Sequence, residues 1–181
     1  MKVVAVCGPH GALLAEYVQR VKEKVGAATV IDESKFISGD FKVNEEKLLT
    51  AITDAKKVGL VIVYGHYLYS NESIRKACDV RLWMETEKDI CLINYLKSFD
   101  NVEENTQAKI MFYEETLKVQ NEKVILPSKK NNYHMGIQKI NEQSVAVIVN
   151  SLKPVIPRDS LFASQSSAKK EKTVTSNTFG V

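Results

Sequence analysis

The chain reads as an α/β protein with a mainly parallel sheet, helices on both of its faces and an irregular C-terminal tail. Three observations lead there. Short apolar runs rich in β-branched residues, Val3–Val6 and Leu60–Tyr64, have the composition of strands buried on both faces. Segments with helical apolar spacing alternate with them, the pattern of a parallel sheet wound with crossover helices. From Lys153 two prolines and then a Ser/Lys/Thr-rich run without periodicity replace that alternation. The boundaries are therefore a domain over 1–152 and a tail over 153–181 whose composition suits a disordered segment left to itself.

Val3 to Val6 opens the sheet, Gly8-Pro9-His10-Gly11 is a turn, and Leu13, Leu14, Tyr17, Val18, Val21 and Val25 mark the first helix, with Gly26 placed to end it. Thr29-Val30-Ile31 is a short second strand followed by a loop from Asp32 to Gly39. Asn44 caps the next helix, with Glu45 and Glu46 in its first turn and Leu48, Leu49, Ile52 and Ala55 on its apolar side. Leu60–Tyr64 is the clearest strand, closed by Gly65-His66. A short helix covers Ser70 to Ala77, and Val80–Met84 is a fourth strand. Thr86 with Asp89 reads as a variant capping box opening a helix along Ile90, Ile93, Leu96 and Phe99. After a polar break at Asp100–Asn105, a helix runs from Thr106 to Lys118. Val124–Ser128 looks extended and stops at its proline, Tyr133–Ile137 is a weak fifth strand, and Val145, Ile148, Val149 and Leu152 have helical spacing.

Composition narrows the function classes. The formal net charge is +3 and hydrophobic residues make up 44%, an ordinary balance that does not by itself imply nucleic acid. No apolar run is long enough to cross a membrane, and the N-terminus lacks a signal-peptide layout. Cys7, Cys78 and Cys91 are odd in number and lack metal-type spacing, so they read as reduced, mostly buried thiols of a cytoplasmic protein, with a nuclear one also compatible.

Strand, glycine turn and helix at the start frame a phosphate-binding loop, whose backbone N–H groups would face an anion. Gly8, Pro9, His10 and Gly11 are accordingly the phosphate- or nucleotide-binding candidates. The phosphate-loop pattern asks for a lysine and a Ser/Thr after its second glycine. Here Ala12, Leu13, Leu14 and Ala15 follow.

The chain resembles the uridine/cytidine kinases and related phosphoribulokinase-like proteins of the P-loop class over roughly residues 2–152. The resemblance rests on Val4–Gly11 as strand and loop, Val30–Ile37 at the substrate loop, Val61–Gly65 as third strand and Asp79–Thr86 as the next. Its most specific part is Tyr113-Glu114-Glu115-Thr116-Leu117-Lys118 followed by Pro127-Ser128-Lys129-Lys130. It implies a P-loop kinase-like sandwich. It also exposes losses. The loop is shorter by about three residues than the pattern requires. The family's catalytic aspartate falls at Ser34, its third-strand acid at Tyr64, and its lid arginines near Asn94 and Tyr95. No arginine lies between Arg81 and Arg158. A serine is no general base near neutral pH, and lysines do not replace a guanidinium fork. Loss of base, metal ligand and anion clamp together implies no catalytic residues, no metal and no cofactor beyond a vestigial nucleotide site without Mg²⁺.

The expected function is that of a non-catalytic, uridine-kinase-like protein that works by binding, as part of a larger assembly such as a ribonucleoprotein. The alternatives are a nucleotide- or phosphate-binding protein and an active pyrimidine nucleoside kinase with relocated groups. Ser34, Tyr64 and His66 are pocket candidates, although a strand-end histidine is also an ordinary polar loop cap. Tyr64, Tyr67, Tyr69 and Trp83 could stack a base, or simply fill the core. Asp32 and Glu33 could supply a shifted base. Lys129 and Lys130, with the tail's Lys169, Lys170 and Lys172, are candidates for RNA or assembly contact, or are solvated charge.

Overall fold

A computed structural model describes residues 1–101 and 103–152. Its centre is a five-stranded, all-parallel sheet in the order β2-β3-β1-β4-β5: β1 Val3–Cys7, β2 Ala28–Asp32, β3 Leu60–Gly65, β4 Val80–Met84 and β5 Met135–Ile137. Val3↔Val61 to Cys7↔Gly65 sets the central register, with Val4↔Val80 to Cys7↔Trp83 on the other side of β1. Strand β1 is buried along its whole length, as a strand flanked by two others and covered on both faces must be.

Side-chain alternation gives the sheet two apolar faces. Val3, Ala5, Cys7, Val61, Val63 and Trp83 point to a core shared with Leu48 and Ile52 of α2 (Glu45–Val58), Ile74 of α3 (Glu72–Ala77) and Ile125. Helix α1 (Leu14–Val25) packs across β1, β2 and β3 with Leu14, Tyr17, Val18 and Val21 buried. The Tyr17 hydroxyl donates to Ser144 O at 3.1 Å, tying α1 to the start of α8 (Glu142–Leu152), whose Val145 and Ile148 are buried. Fully burying each such side chain stabilises by about 1.5–3 kcal/mol.

Several local expectations hold. Gly26 ends α1 at φ 75° with its N–H on Lys22 O, and the Asn44 side chain accepts the Lys47 N–H at the start of α2. Cys7, Cys78 and Cys91 are free and buried. The expected helix at Ser70–Ala77 is α3, two residues shorter because Asn71 caps it, accepting from Ser73 and Ile74 N–H. The expected strand at Tyr133–Ile137 shortens to β5. Within the expected loop after β2, Glu33–Phe36 form a 3-10 turn with Asp32 accepting from Ser34 N–H.

Two readings fail. Thr86 does not cap α4 (Lys88–Lys97); Glu87 occupies that position and makes no side-chain cap bond. Val124–Ser128 is not extended. It belongs to a continuous helical rod over 106–129: α5 (Thr106–Phe112), a π-helical stretch Tyr113–Leu117, α6 (Lys118–Gln120), a second π stretch Asn121–Ile125 and α7 (Leu126–Lys129). Tyr113, Leu117, Asn121 and Ile125 recur every fourth residue and are all buried, a helical spacing that the apolar run Val124–Leu126 obscures. Pro127 lies just past the second π-helical stretch, in the last turn of the rod.

Tyr69 locks β1 to β4 from below. It is wholly buried, and its hydroxyl lies 2.7 Å from Leu82 O and 3.2 Å from Ala5 O. Tyr69→Phe should lower the free energy of unfolding by about 1 kcal/mol in urea denaturation without altering the fold, since one hydrogen bond is lost and the volume kept.

Candidate functional site

In an open parallel sheet, ligands sit beyond the carboxyl ends of the strands. That edge here carries the loop after β1, the Asp32–Phe36 turn after β2 and Gly65–Tyr69 after β3. The four loop residues Gly8, Pro9, His10 and Gly11 come together as expected, and several of their polar groups are engaged by the protein. His10 N–H donates to the buried Asn121 Oδ1 at 2.6 Å, while Asn121 Nδ2 donates to His10 O at 3.3 Å. Ala12 N–H donates to Pro9 O at 2.9 Å, and Gly11 O accepts from Asn94 Nδ2 at 2.9 Å. Gly11 has φ 94°, and a Cβ there would run into the carbonyl and Cα of Cys91 in α4. Glycine is required twice over, for the left-handed backbone and for the close approach of a helix.

The space in front of this loop holds side chains. The His10 ring lies 4.2 Å from that of His66 and its Nε2 is 2.9 Å from the Tyr67 hydroxyl, with Phe41 at its edge. His66 Nδ1 donates to Gly8 O at 2.9 Å, which places its proton on that nitrogen. Burial, then the neighbouring His66, pulls the pKa of His10 down to about 3, and burial lowers that of His66 too. Both rings are therefore neutral near pH 7. His66, a pocket candidate, is thus joined to the loop. Ser34 is exposed on its 3-10 turn, and Tyr64 is half-buried beside Asp32, its β-ladder partner. Burial and then Asp32 push the Tyr64 hydroxyl up to about 12.

Glu33, weighed from sequence only as a shifted base, is wholly buried. Its Oε2 accepts the Tyr67 N–H at 2.9 Å, its side chain fills the space a Cβ on Gly65 would need, and its Oε1 has no partner. Burial raises its pKa to about 7, with Asp32 adding to the rise and the Tyr67 and His66 N–H groups opposing it. Asn121, which organises the loop, escaped the sequence reading altogether, because it falls between the helix read as ending at Lys118 and the segment read as extended from Val124.

Farther along the same edge a groove of about 1070 Å³ opens between the start of α1, the β4–α4 turn and the segment after β5. Leu13, Met84, Ile90 and Ile140 give it an apolar wall, and Glu16, Glu85 and Glu87 rim it with Lys139 the one cation. Lys129 is committed structurally: it lies 2.7 Å from Glu85 Oε1 and over the Trp83 and Tyr133 rings. Lys130 is exposed. Tyr67, Tyr69 and Trp83 are buried, leaving Tyr64 as the half-exposed member of the aromatic set. Lys169, Lys170 and Lys172 lie outside the described residues, as does the tail segment over 153–181. Among the described residues no group of His, Cys, Asp and Glu is arranged to hold a metal ion, and no helix is long and apolar enough to cross a membrane.

The architecture is a P-loop kinase-like fold. Among solved structures, the chain is similar to a protein from Silicibacter sp. TM1040 described as a fructose transport system kinase. The TM-score is 0.57 at 11% identity, over 75% of this chain and 89% of that one. It is similar to an uncharacterised protein from Eubacterium ventriosum, with TM-score 0.54 and 11% identity over 83% and 97% of the two chains. A shikimate kinase from Acinetobacter baumannii aligns over 94% and 96% of the chains at 16% identity, but its TM-score of 0.46 is too low to bear on the fold. No family model matches the chain, and no curated protein sequence matches it. At these identities the likeness is one of fold alone.

Two outcomes follow from this geometry. Gly11→Ala should destabilise the protein by at least about 2 kcal/mol in denaturant titration, through left-handed strain and collision with α4. Glu33 retains its proton to about pH 7 when folded, against an ordinary value of 4.5. Folding therefore takes up a proton between these values, and this contribution to stability is full below pH 4.5 and lost as pH rises through 7. His10 and His66, held neutral, slope the other way at acid pH. Glu33→Gln isolates the carboxyl: relative to the parent, it should gain on the order of 2–3 kcal/mol between pH 5 and pH 8.

Proposed function

We propose that this protein is a non-catalytic member of the uridine-kinase group of P-loop proteins that acts by binding within a larger assembly, a ribonucleoprotein being the best fit. The observation that carries this reading is the loop after β1. Its His10 N–H goes to Asn121 and its Ala12 N–H to Pro9 O, while the His10 ring lies against that of His66 at a tilt of 41°. A phosphate held there would have to displace all three arrangements. No lysine or hydroxyl follows Gly11 to balance its charge or hold Mg²⁺.

A magnesium nucleotide does not suit the remaining residues. The Asn94 amide, where the resemblance expects a lid arginine, bonds Gly11 instead. The neighbouring groove sets Glu87 beside Lys139, while its Glu16 and Glu85 are paired with Arg20 and Lys129, so it presents no surplus of positive charge to a triphosphate. Neither Ser34 nor the half-buried Tyr64 supplies a carboxylate, and Glu33 is sealed from any substrate.

The charge distribution supports an assembly partner with phosphates. Residues 153–181 contain Lys153, Arg158, Lys169, Lys170 and Lys172 against Asp159 and Glu171, so residues 1–152 carry equal numbers of acidic and basic groups. The whole surplus of positive charge therefore lies in the tail, where it suits backbone phosphates.

The test has two arms on the full-length protein. Millimolar ATP with Mg²⁺, with or without uridine or cytidine, should leave Tm unchanged and transfer no phosphate. Isolated from its own cells, the protein should carry RNA or a stable protein partner. Turnover abolished by one substitution would overturn the reading, and so would recovery as a monomer without partners.

A further inference from the structure

Arg81 in β4 and His134, which precedes β5, meet at the edge of the sheet remote from the loop after β1. The Arg81 backbone N–H donates to His134 Nδ1 at 3.2 Å. A ring nitrogen that accepts carries no proton, so the imidazole is the neutral tautomer with its proton on Nε2. That N–H faces Arg81 Nη2 at 3.1 Å. Two donors thus confront one another with no acceptor between them. Arg81 Nε is buried without a hydrogen-bond partner. Nε is thereby closed to a ligand, which leaves Nη2 as the guanidinium nitrogen presented beside His134.

No carboxylate answers this charge. Among the described residues neither Arg81 nor His134 belongs to an ion pair. Asp79, the nearest acid along the strand, accepts from Val3 N–H at 2.7 Å and pairs with Lys56. His134 is exposed, Arg81 half-buried, and the exposed Lys130 lies four residues before His134.

We propose that Arg81 and His134 form a binding site for a phosphate group at the β5 edge of the sheet. One phosphate oxygen seated between Nη2 and Nε2 accepts from both. An anionic oxygen satisfies Nη2 and the histidine together, with the exposed Lys130 available to a neighbouring charge. The site stands independently of the assembly reading above: it could take inorganic phosphate, the phosphate of a small molecule, or the backbone of RNA.

Titration of the full-length protein with inorganic phosphate at fixed pH and ionic strength, followed by NMR at the Arg81 Nε–H and His134 ring resonances, tests the site. Both should shift in parallel and saturate, whereas equimolar acetate should bind at least about tenfold more weakly. Arg81→Met should reduce phosphate affinity about tenfold or more, as expected for charged hydrogen bonds. His134→Ala removes an exposed side chain and provides the same test should Arg81→Met not fold. A short single-stranded RNA distinguishes the sources. If RNA is the ligand, its binding should lose about one from the slope of log affinity against log salt in either variant. Phosphate binding with an unchanged RNA slope keeps the site and assigns it to free phosphate or a small phosphorylated molecule. No shift at Arg81 and His134, equal response to acetate, or undiminished affinity in both variants would overturn the proposal.

Discussion

Asn121 is the side chain on which the carboxyl edge of the sheet depends. From a π-helical turn it reaches the loop after β1 and satisfies both the N–H and the C=O of His10. A buried amide with two such bonds fixes the loop more firmly than packing alone, because leaving either backbone group unpaired would cost about 1–3 kcal/mol. The rest follows from that pin. Gly11 is drawn against Cys91, Asn94 closes on its carbonyl, and the helix that begins at Leu14 starts without a side-chain cap.

The neighbourhood is built to be neutral. His10 and His66 are held uncharged by burial, with His66 adding to the effect on His10, and Glu33 is pushed toward its protonated form by the same desolvation. Sites that handle phosphate concentrate fixed positive charge and free N–H groups. At this edge the structure holds tilted ring contacts, an amide clamp and a carboxyl folded beneath Gly65. A parallel sheet places its loops at one edge whatever they contain, so the fold alone does not fix what that edge binds.

The opposite relation holds at Arg81 and His134. There the chain leaves donors facing donors at the outer strand, on a side of the fold that the P-loop architecture does not assign to a ligand. Pairing donors with no acceptor is unfavourable, and natural proteins retain such arrangements chiefly where something completes them. All of the basic excess along the chain lies beyond residue 152.

Much of this was legible in the sequence for a simple reason. Strand burial and helix amphipathicity are written in periods of two and about 3.6 residues, so β1, β3, α1 and α2 could be read directly, as could the glycine turn lacking lysine. Tertiary structure decided what local pattern cannot express. Val124–Ser128 became helical because Ile125 completes a buried ladder with Tyr113, Leu117 and Asn121. Glu33 became a buried carboxyl, and Asn121 a loop clamp, through partners 34 and 111 residues away. Hydrogen bonds over such separations are fixed only when the sheet closes, and it is these that determine whether the first loop cradles an anion or holds the protein's own side chains.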